Sequence, residues 1–581
     1  MKKQSLFLAI TMLVVFNWQP ATACTNFLVT KGASTDGSTM ITYAADSHTL
    51  YGELYFWLAA KYPAGTMLKI YEWDSGRYIG EIPQVAQTYR VIGNMNEHSL
   101  AIGETTFGGH RKLVDKNGLI DYGSLIYITL QRAKTAREAI KIMAELVNNY
   151  GYCSDGESFS IADPNEVWIL EMVGKGEKYK TDKKGNKTGE NLSKGAVWVA
   201  VRIPDGYVSS HANQARIQTF PLANGTNSIT SLELDKIFNP EVEIVYAHDV
   251  VSVARELGFY EGEDKDFSFS DTYNPLDFGG ARGCDARTWS FFKNVNKDMW
   301  KYQDYAMGKI LDDPKARMPL YIKPDKKISP KQVMDFMRDH YEGTKMDMTQ
   351  DIGAGPYKIP YRWRPMNFEV DNQKYVNERA IATQQTGFWF VAQSRSWLPN
   401  AIGGILWFGV DDAATSCLTP IYCSSTKVPY EYAVGNGDLL TYSSTSAFWI
   451  FSRVANSTYL RYDSISADVV KVVNELENRY LDMTATVDEY ALKLYNDSPE
   501  KAIEYLTDYS VTAASATVNR WKELDTYLLV KYIDGNIKKE KDGKFLRTQT
   551  GVPASPNQPA LPEFWRRAIV KDVGETLKII E

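Results

Sequence analysis

The sequence contains few histidines and cysteines, and it has no excess of basic residues. Its six histidines are spread over 581 residues, without the HExxH or paired-cysteine spacing that is typical of zinc sites. The sequence therefore predicts no metal and no other cofactor. The net charge of −6 supplies no basic surface for nucleic acid. Internal repeats and low-complexity tracts are also absent.

Long apolar runs are scarce as well, and the clearest one lies at the start of the sequence. Two lysines precede an apolar run from Leu6 to Phe16, and the small residues ATA end at Ala23. A membrane-spanning helix needs about 20 apolar residues, so this shorter run indicates a signal peptide over residues 1–23 that is removed. The protein is then expected to be exported, either to the periplasm or out of the cell, with Cys24 as its new N-terminus.

A cysteine at a free N-terminus carries a nucleophile and a base on one residue. The reference pKa is about 8.5 for a cysteine thiol and about 8 for an α-amine, so the amine needs little help to accept the thiol proton. The thiolate of Cys24 would attack an amide carbonyl, N–H donors would stabilise the oxyanion, and water would hydrolyse the thioester. This pattern predicts an amide hydrolase that needs no histidine.

The same residue supports a second interpretation, because ATAC at positions 21–24 is also a loose lipobox. Acylation would anchor Cys24 to a membrane and block both groups that catalysis needs. The chain would then be a lipid-anchored binding protein, and its aromatic content of 13% would supply stacking surfaces. The two interpretations exclude each other at this residue.

The other cysteines leave the question of a disulfide open. Cys417 and Cys423 enclose a short segment, in which a turn at Pro420 would bring the two sulfurs together in an oxidising compartment. Two buried free thiols fit the sequence equally well. Cys153 lacks the surroundings of a papain-like nucleophile.

The apolar pattern predicts many strands and few helices. Strands are predicted over 24–30, 39–43, 89–93, 99–103, 158–162, 167–172, 196–202, 207–210, 388–393 and 405–410. Helices are predicted over 135–149, from Ser329 to His340 and from Ser464 onward. Residues 104–109 are expected to form a loop beside a cleft, and residues 174–195 an exposed loop. This order favours stacked antiparallel sheets.

Several motifs together make the sequence similar to one family. They are CTN at 24–26, DGST at 36–39, GNMNEHSLAIGETTFGG at 93–109, WVAVRIPDGYVSSHANQARI at 198–217, MRDHYEGT at 337–344, AGPYKIPYRW at 354–363 and LPNAIGGILWFGVDDAATSCLTPIYC at 398–423. The set resembles the dipeptidase A type of cysteine peptidase. That family belongs to the N-terminal nucleophile hydrolases, with penicillin V acylase and bile-salt hydrolase as relatives.

The resemblance implies an α+β fold, a four-layer αββα sandwich with a helical C-terminal part. It implies a catalytic domain over 24–460 and a mainly helical region over 461–581 that packs on it. The implied activity is hydrolysis of dipeptides by Cys24, and the alternative is an acylase that cleaves N-acyl amides such as conjugated bile acids. The expected partner is a small peptide substrate, with no nucleic acid and no stable membrane insertion unless Cys24 is lipidated. A homo-oligomer is left open.

The resemblance also assigns site residues. Cys24 matches the nucleophile, and Asp46 matches an aspartate that orients the amine or the substrate, although spacing alone is more typical of a turn carboxylate. Asn213 matches an asparagine of the oxyanion hole. Arg287 matches an active-site arginine, and Arg282 competes with it for that position.

The sequence departs from the family pattern at two positions. Tyr43 stands where the relatives carry an arginine, three residues before Asp46, so a cation that could lower the thiol pKa is absent from that position. The second oxyanion asparagine of the acylases has no clear counterpart, and Thr106 is nearest to it by spacing. The loop over residues 174–195 resembles an insertion between strands.

A dipeptide presents an ammonium and a carboxylate group close together, so the site needs a partner for each. Asp46, Glu104 and Glu171 are the acidic candidates for the ammonium. Arg287 is the candidate for the carboxylate. For Glu104 and Glu171, a structural or surface role is the stronger expectation from position alone.

Overall fold

A computed structural model describes residues 23–311, 313 and 316–580 of the chain. The predicted signal peptide lies outside the described residues except for Ala23. Within the described part, no helix is both long enough and apolar enough to cross a bilayer.

Two large sheets form the centre of the molecule. Their strands are, in chain order, β1 (Asn26–Val29), β2 (Thr39–Asp46), β3 (Phe56–Trp57), β4 (Val91–Ile92), β5 (Met95–Asn96), β6 (Ala101–Gly108), β7 (Gly156–Ala162), β8 (Val167–Gly174), β9 (Ala196–Arg202), β10 (Val208–His211), β11 (Ser228–Thr230), β12 (Ile244–Tyr246), β13 (Tyr321–Ile322), β14 (Thr386–Ser394), β15 (Gly404–Val410) and β16 (Thr419–Tyr422). One sheet has the order β13-β10-β1-β2-β14-β15-β16, and the other has the order β11-β12-β9-β8-β7-β6-β5-β4-β3.

The strand pairs are antiparallel except for β11 with β12. Apolar runs with buried residues on both faces build the central strands: β8, β14 and β15 are buried along their whole length. Such strands need cover on both sides, because each exposed apolar face would cost hydrophobic free energy.

Helices supply the outer cover. They are α1 (Tyr122–Leu130), α2 (Ala136–Tyr150), α3 (Val250–Glu256), α4 (Phe269–Tyr273), α5 (Ala286–Val295), α6 (Gln303–Ala306), α7 (Pro330–Phe336), α8 (Asn400–Gly403), α9 (Ala447–Leu460), α10 (Tyr462–Asp497), α11 (Pro499–Tyr532) and α12 (Glu563–Leu577). Small two-stranded sheets pair Ala60–Lys61 with Gln87–Thr88, Met67–Tyr71 with Tyr78–Pro83, Lys180–Thr181 with Lys187–Thr188, Asn367–Val370 with Gln373–Val376, and Glu540–Lys541 with Lys544–Phe545.

The layers stack in the order helix, sheet, sheet, helix. Strands β1 and β2 of the first sheet pack face to face on β6 and β7 of the second. Helices α1, α2 and α3 contact the second sheet, while α5, α7, α9 and α11 contact the first. The αββα architecture and the α+β class that the resemblance implies are therefore confirmed.

Local sequence signals explain several of these elements. Thr135 caps α2 by accepting a hydrogen bond from the Glu138 amide, and Gly151 ends the helix with a φ of 81°, a value that glycine adopts at little cost. Ser329 and Gln332 form a capping box on α7. That helix ends at Phe336, before His340, so the predicted extension to His340 is wrong. The cause is the short turn at Met337, which closes the helix.

The long C-terminal helices pack on the edge of the first sheet, the one that contains β1. Helices α10 and α11 lie against each other, and α11 also contacts β16 and α9. The buried residues of α11 include Leu506, Val518 and Trp521, whose ring stacks on Phe451 of α9 at 4.5 Å between centroids. The division of the chain at residue 460 stays a prediction.

The structure corrects the loop expected over residues 104–109 and answers the open question of a disulfide. Residues 104–108 are part of strand β6 rather than a loop, because β7 pairs with them through Gly108. Cys417 and Cys423 carry free thiols, as do the chain's other cysteines, all of which lie in the described part. The extended strand β16 separates these two cysteines, and a rise of about 3.3 Å per residue moves their sulfurs out of bonding reach.

Candidate functional site

Cys24 lies at the entry to β1, where this strand pairs with the end of β2. Thr25 pairs with Ala44, and the Ala23 amide donates to the Asp46 carbonyl oxygen at 2.8 Å. This register places Cys24 opposite the last residues of β2. The peptide bond that processing would cut, between Ala23 and Cys24, is therefore held by a strand pair.

The thiol of Cys24 faces the second sheet. Its Sγ is 3.8 Å from Tyr43 Oη and 3.8 Å from Glu104 Oε1. The Tyr43 hydroxyl donates a short hydrogen bond to Glu104 Oε1. Because Tyr43 comes from β2 and Glu104 from β6, the packing of the two sheets brings these groups together.

A cavity of about 230 Å³ opens beside this thiol. Its wall combines polar groups with a set of aromatic rings, and its lining residues are Cys24, Tyr43, Ala45, Asp46, Ser47, Thr49, Leu50, Tyr55, Trp73, Asp74, Asn94, Glu104, Tyr122, Gly123, Ile126, Tyr127 and Phe388. The size suits a small ligand in contact with Cys24.

The thiol is protonated in this arrangement. Burial raises the pKa of Cys24 well above its ordinary value, and the negative charges of Glu104 and Asp46 raise it further. Hydrogen bonding of the thiol to the Asp46 backbone and to Tyr43 lowers this pKa, but by less than burial raises it. A thiol with so high a pKa needs a base at the moment of attack.

Arg287 connects Cys24 to neighbouring residues through hydrogen bonds. Its Nη1 donates to Cys24 O at 2.5 Å and to Thr25 Oγ1 at 2.9 Å, and its Nη2 donates to Ala212 O at 3.0 Å and Asn213 Oδ1 at 2.9 Å. Its Nε donates to the carbonyl oxygen of residue 283 at 2.9 Å. All five N–H donors of the guanidinium are thereby used, which leaves none for a substrate carboxylate.

Asn213 lies beside this network in a left-handed conformation, with a φ of 61°. Its Nδ2 donates to the Thr106 carbonyl oxygen at 2.7 Å, while Arg287 binds its Oδ1. Thr106 Oγ1 in turn donates to Glu157 Oε1 at 2.8 Å. The structure thus brings Asn213 into the same network as Cys24, through Arg287.

Asp46 forms a buried ion pair with Arg379. Arg379 Nη2 donates short hydrogen bonds to Asp46 Oδ2 and to the carbonyl oxygen of Ala23. Thr386 Oγ1 donates to Asp46 Oδ1 at 2.6 Å. Burial raises the pKa of Asp46 to about 6, against the lowering effect of Arg379. Asp46 and Arg379 therefore both contact Ala23, the residue that processing would remove.

Arg379 is the site residue that sequence reasoning missed. It comes from a segment more than 300 positions away, next to Glu378, which pairs with Arg282 at 2.6 Å. Arg282 is thus bound to Glu378, whereas Arg287 contacts Cys24. The assignment of Arg287 as the active-site arginine stays a prediction. No local pattern marks Arg379, because its partner lies on a strand from the other end of the chain.

Glu171 lies apart from this site. Its two carboxylate oxygens accept the backbone amides of Arg216 at 2.5 Å and Ile217 at 3.0 Å. It does not line the cavity beside Cys24, so its role is to hold the chain that follows β10. In the described residues, no group of three or more histidine, cysteine, aspartate and glutamate side chains is arranged to hold a metal ion.

Replacing Arg287 with lysine is expected to lower kcat/KM by about 10²-fold, because one ammonium cannot make the five hydrogen bonds that align Cys24 and Asn213. The measurement is steady-state hydrolysis of a peptide substrate, with thermal unfolding recorded for the same protein. Arg282→Lys is the matched control, since Arg282 binds Glu378 instead. Equal losses in the two variants would contradict the assignment.

Comparison with known proteins identifies the family of this chain. The family model described as peptidase family C69 matches residues 23–475. A probable dipeptidase of Latilactobacillus sakei is 24% identical over 486 residues, which cover 78% of this chain and 85% of that protein. A probable dipeptidase of Salmonella dublin is 24% identical over 448 residues, which cover 72% of this chain and 84% of that protein.

Among solved structures, penicillin V acylase from Agrobacterium tumefaciens aligns with 72% of this chain and 94% of its own, at 11% identity and a TM-score of 0.26. The family match covers well over half of the chain and begins next to Cys24. The chain therefore belongs to peptidase family C69 and is a peptide hydrolase.

Proposed function

We propose that this peptidase is an exported dipeptidase whose nucleophile is the thiol of Cys24, made N-terminal by removal of residues 1–23. The observation that carries the proposal is the position of Cys24, buried at the head of β1 in the wall of a small cavity. Relatives of similar length are named probable dipeptidases. The small cavity suits a short peptide better than a long one.

The first step needs a base next to the thiol. Cleavage after Ala23 frees the α-amine of Cys24, two bonds from the carbon that carries Sγ. The amine accepts the thiol proton, which compensates for the raised thiol pKa, and the thiolate forms a bond to the carbonyl carbon of the substrate. The oxygen of that carbonyl becomes an oxyanion.

The intermediate then collapses to a thioester. The ammonium of Cys24 returns its proton to the nitrogen of the leaving amino acid, and the peptide C–N bond breaks. Water attacks the thioester and releases the second amino acid, which restores the thiol. Asn213, fixed by Arg287 and Thr106, is the proposed donor to the oxyanion, where one well-placed donor contributes about 10²–10³ in kcat.

Asp46 and Arg379 hold the other side of the nucleophile. Arg379 binds the carbonyl oxygen of Ala23, and this acceptor leaves with the signal peptide. Its Nε and Nη1 are buried and have no hydrogen-bond partner among the described residues. Arg379 does not line the cavity while Ala23 is in place. Since Arg287 has no donor left, Arg379 is the proposed cation for the carboxylate of a dipeptide once Ala23 has been removed.

The direct test is to purify the exported protein and determine its N-terminus by sequencing and intact mass. We expect a chain that starts at an unmodified Cys24 and hydrolyses free dipeptides. A retained Met1 in active protein, or an acylated Cys24, would contradict the mechanism. A panel of free dipeptides and N-acylated amino acids then separates a dipeptidase from an acylase.

The rate is expected to fall in acid, because Asp46 acts as an ionised partner of Arg379. Burial raises the pKa of Asp46 to about 6, while Arg379, Thr386 and Arg287 lower it; Cys24 and Arg364 also face this carboxyl group. Below that pH the carboxyl group is protonated, so kcat at saturating dipeptide should fall about tenfold per pH unit. A kcat that stays constant between about pH 7 and pH 5 would contradict this role.

A further inference from the structure

The cavity beside Cys24 has an acidic wall. Asp46, Asp74 and Glu104 contribute three carboxyl groups, and the described residues that line the cavity include no lysine, arginine or histidine. Arg379 pairs with Asp46. The other two carboxyl groups accept hydrogen bonds from tyrosine hydroxyls, Tyr122 in the case of Asp74. A cavity with this charge favours a cationic ligand.

One carboxylate oxygen of Glu104 can accept a further hydrogen bond. Its Oε1 is 3.8 Å from Cys24 Sγ and accepts the Tyr43 hydroxyl. Its Oε2 is buried and accepts no hydrogen bond from an amide, a hydroxyl group or a basic side chain of the described residues, and the neighbouring carboxyl group is that of Glu157. A buried carboxylate oxygen costs free energy unless donors reach it. A donor ligand in the cavity would satisfy it.

Glu157 adds a second carboxyl group at the same place. It pairs in register with Thr106 across β6 and β7, so its side chain shares a face with that of Glu104. Its Oε2 is also buried and accepts no hydrogen bond from an amide, a hydroxyl group or a basic side chain of the described residues. Burial, followed by the charge of Glu104, raises the pKa of Glu157 well above its usual range. Glu157 therefore keeps its proton and hydrogen-bonds to Glu104, which leaves the negative charge of the pair on Glu104.

The distance between Glu104 and Cys24 suits contact with the amino group of the first residue of a peptide. The amino nitrogen lies about 2.5 Å from the carbonyl carbon of its own residue, and an attacking sulfur approaches that carbon to about 3–3.5 Å. A carboxylate oxygen 3.8 Å from Cys24 Sγ can therefore lie about 2.8 Å from that nitrogen. An N-acylated residue has no cation at this position.

We propose that Glu104, oriented by Tyr43 and accompanied by Glu157, binds the α-ammonium group of the substrate and so selects peptides with a free N-terminus. The proposal rests on the proposed dipeptidase function. Tyr43 suits this purpose because its hydroxyl is a neutral donor, which orients the carboxylate without cancelling its charge. The aromatic rings of the cavity add a favourable surface for a cation.

The test compares each free dipeptide with its N-acetylated form. For the wild-type protein we expect a high ratio of kcat/KM, free over acetylated. In Glu104→Gln the ratio is expected to fall at least 30-fold, about 2 kcal/mol by the RT ln conversion, and mainly through KM for the free dipeptide. Glu171→Gln is the matched control, since Glu171 is equally buried in the same sheet, on β8, and lies outside the cavity.

The outcomes separate this proposal from the function on which it rests. A wild-type protein without activity on dipeptides would overturn the proposed function. A wild-type protein that prefers free dipeptides, with the same ratio in Glu104→Gln and Glu171→Gln, would overturn only the role of Glu104.

A binding measurement keeps the test valid if Glu104→Gln folds poorly. Processed protein with Cys24→Ala is titrated calorimetrically with a dipeptide and with the same dipeptide lacking its α-amino group. We expect the dipeptide to bind at least tenfold more tightly than the desamino analogue. Equal affinities would overturn the proposal.

Discussion

Replacing Cys24 with alanine is expected to lower peptide hydrolysis by at least about 10⁴-fold, the scale on which removal of a covalent nucleophile acts. The loss follows from the chemistry: without Sγ no thioester forms, and the α-amine then has no thiol proton to accept. The measurement is kcat/KM on a free dipeptide, with the N-terminus of the purified variant confirmed by mass. The fold should persist, because Cys24→Ala removes one small buried atom.

Cys153→Ala is the matched control for this variant. Cys153 is a half-buried free thiol that does not line the cavity, so its removal should leave hydrolysis unchanged. Normal turnover by Cys24→Ala, or equal losses in the two variants, would show that the nucleophile is elsewhere.

Asp46→Asn is expected to have the second largest effect, lowering both stability and activity. The variant leaves the buried Arg379 guanidinium without its anion, which costs about 3–5 kcal/mol of unfolding free energy. It also loosens the strand end that holds Cys24, and a displacement of about 1 Å lowers the rate about 10²-fold. Chemical denaturation and kcat/KM on a dipeptide measure the two effects.

A double variant separates these effects. Asp46→Leu combined with Arg379→Met replaces the ion pair with apolar side chains of similar size, which is often neutral for stability. We expect the double variant to regain most of the lost stability and to remain poorly active. Recovery of activity together with stability would mean that Asp46 and Arg379 serve the fold alone.

The contacts of Arg379 and Glu104 bear on Tyr43, which stands where related proteins carry an arginine. In place of an arginine at that position, the structure has Tyr43 hydrogen-bonded to Glu104, and it supplies a cation to Asp46 from Arg379 instead. The charge that faces the cavity is consequently negative. In the proposed function, this exchange of a cation for a neutral hydroxyl leaves room for the ammonium group of a substrate.

The elements of the fold were largely predictable, because their signals are local. Helix α2 has its cap, its apolar face and its terminal glycine within 17 positions of each other. Strands β7 and β8 are predicted by apolar runs on either side of a turn. The loop expected at 104–108 was wrong because polar residues of β6 point into an interior cavity. Only the opposite sheet makes that side of the strand buried.

The sequence alone predicts stacked sheets with helical cover, which the structure confirms, and a site built from Cys24, Asp46, Asn213 and Arg287, which stays a prediction. The contacts of the site depend on the three-dimensional fold, because buried polar groups pair with the groups that lie near them in space. The fold places Arg287 on Cys24 and Arg282 on Glu378, puts Glu171 on two backbone amides, and brings Arg379 to Ala23 and Glu104 to the thiol of Cys24. Each of these contacts joins segments that are distant in the sequence, so no local pattern could predict them.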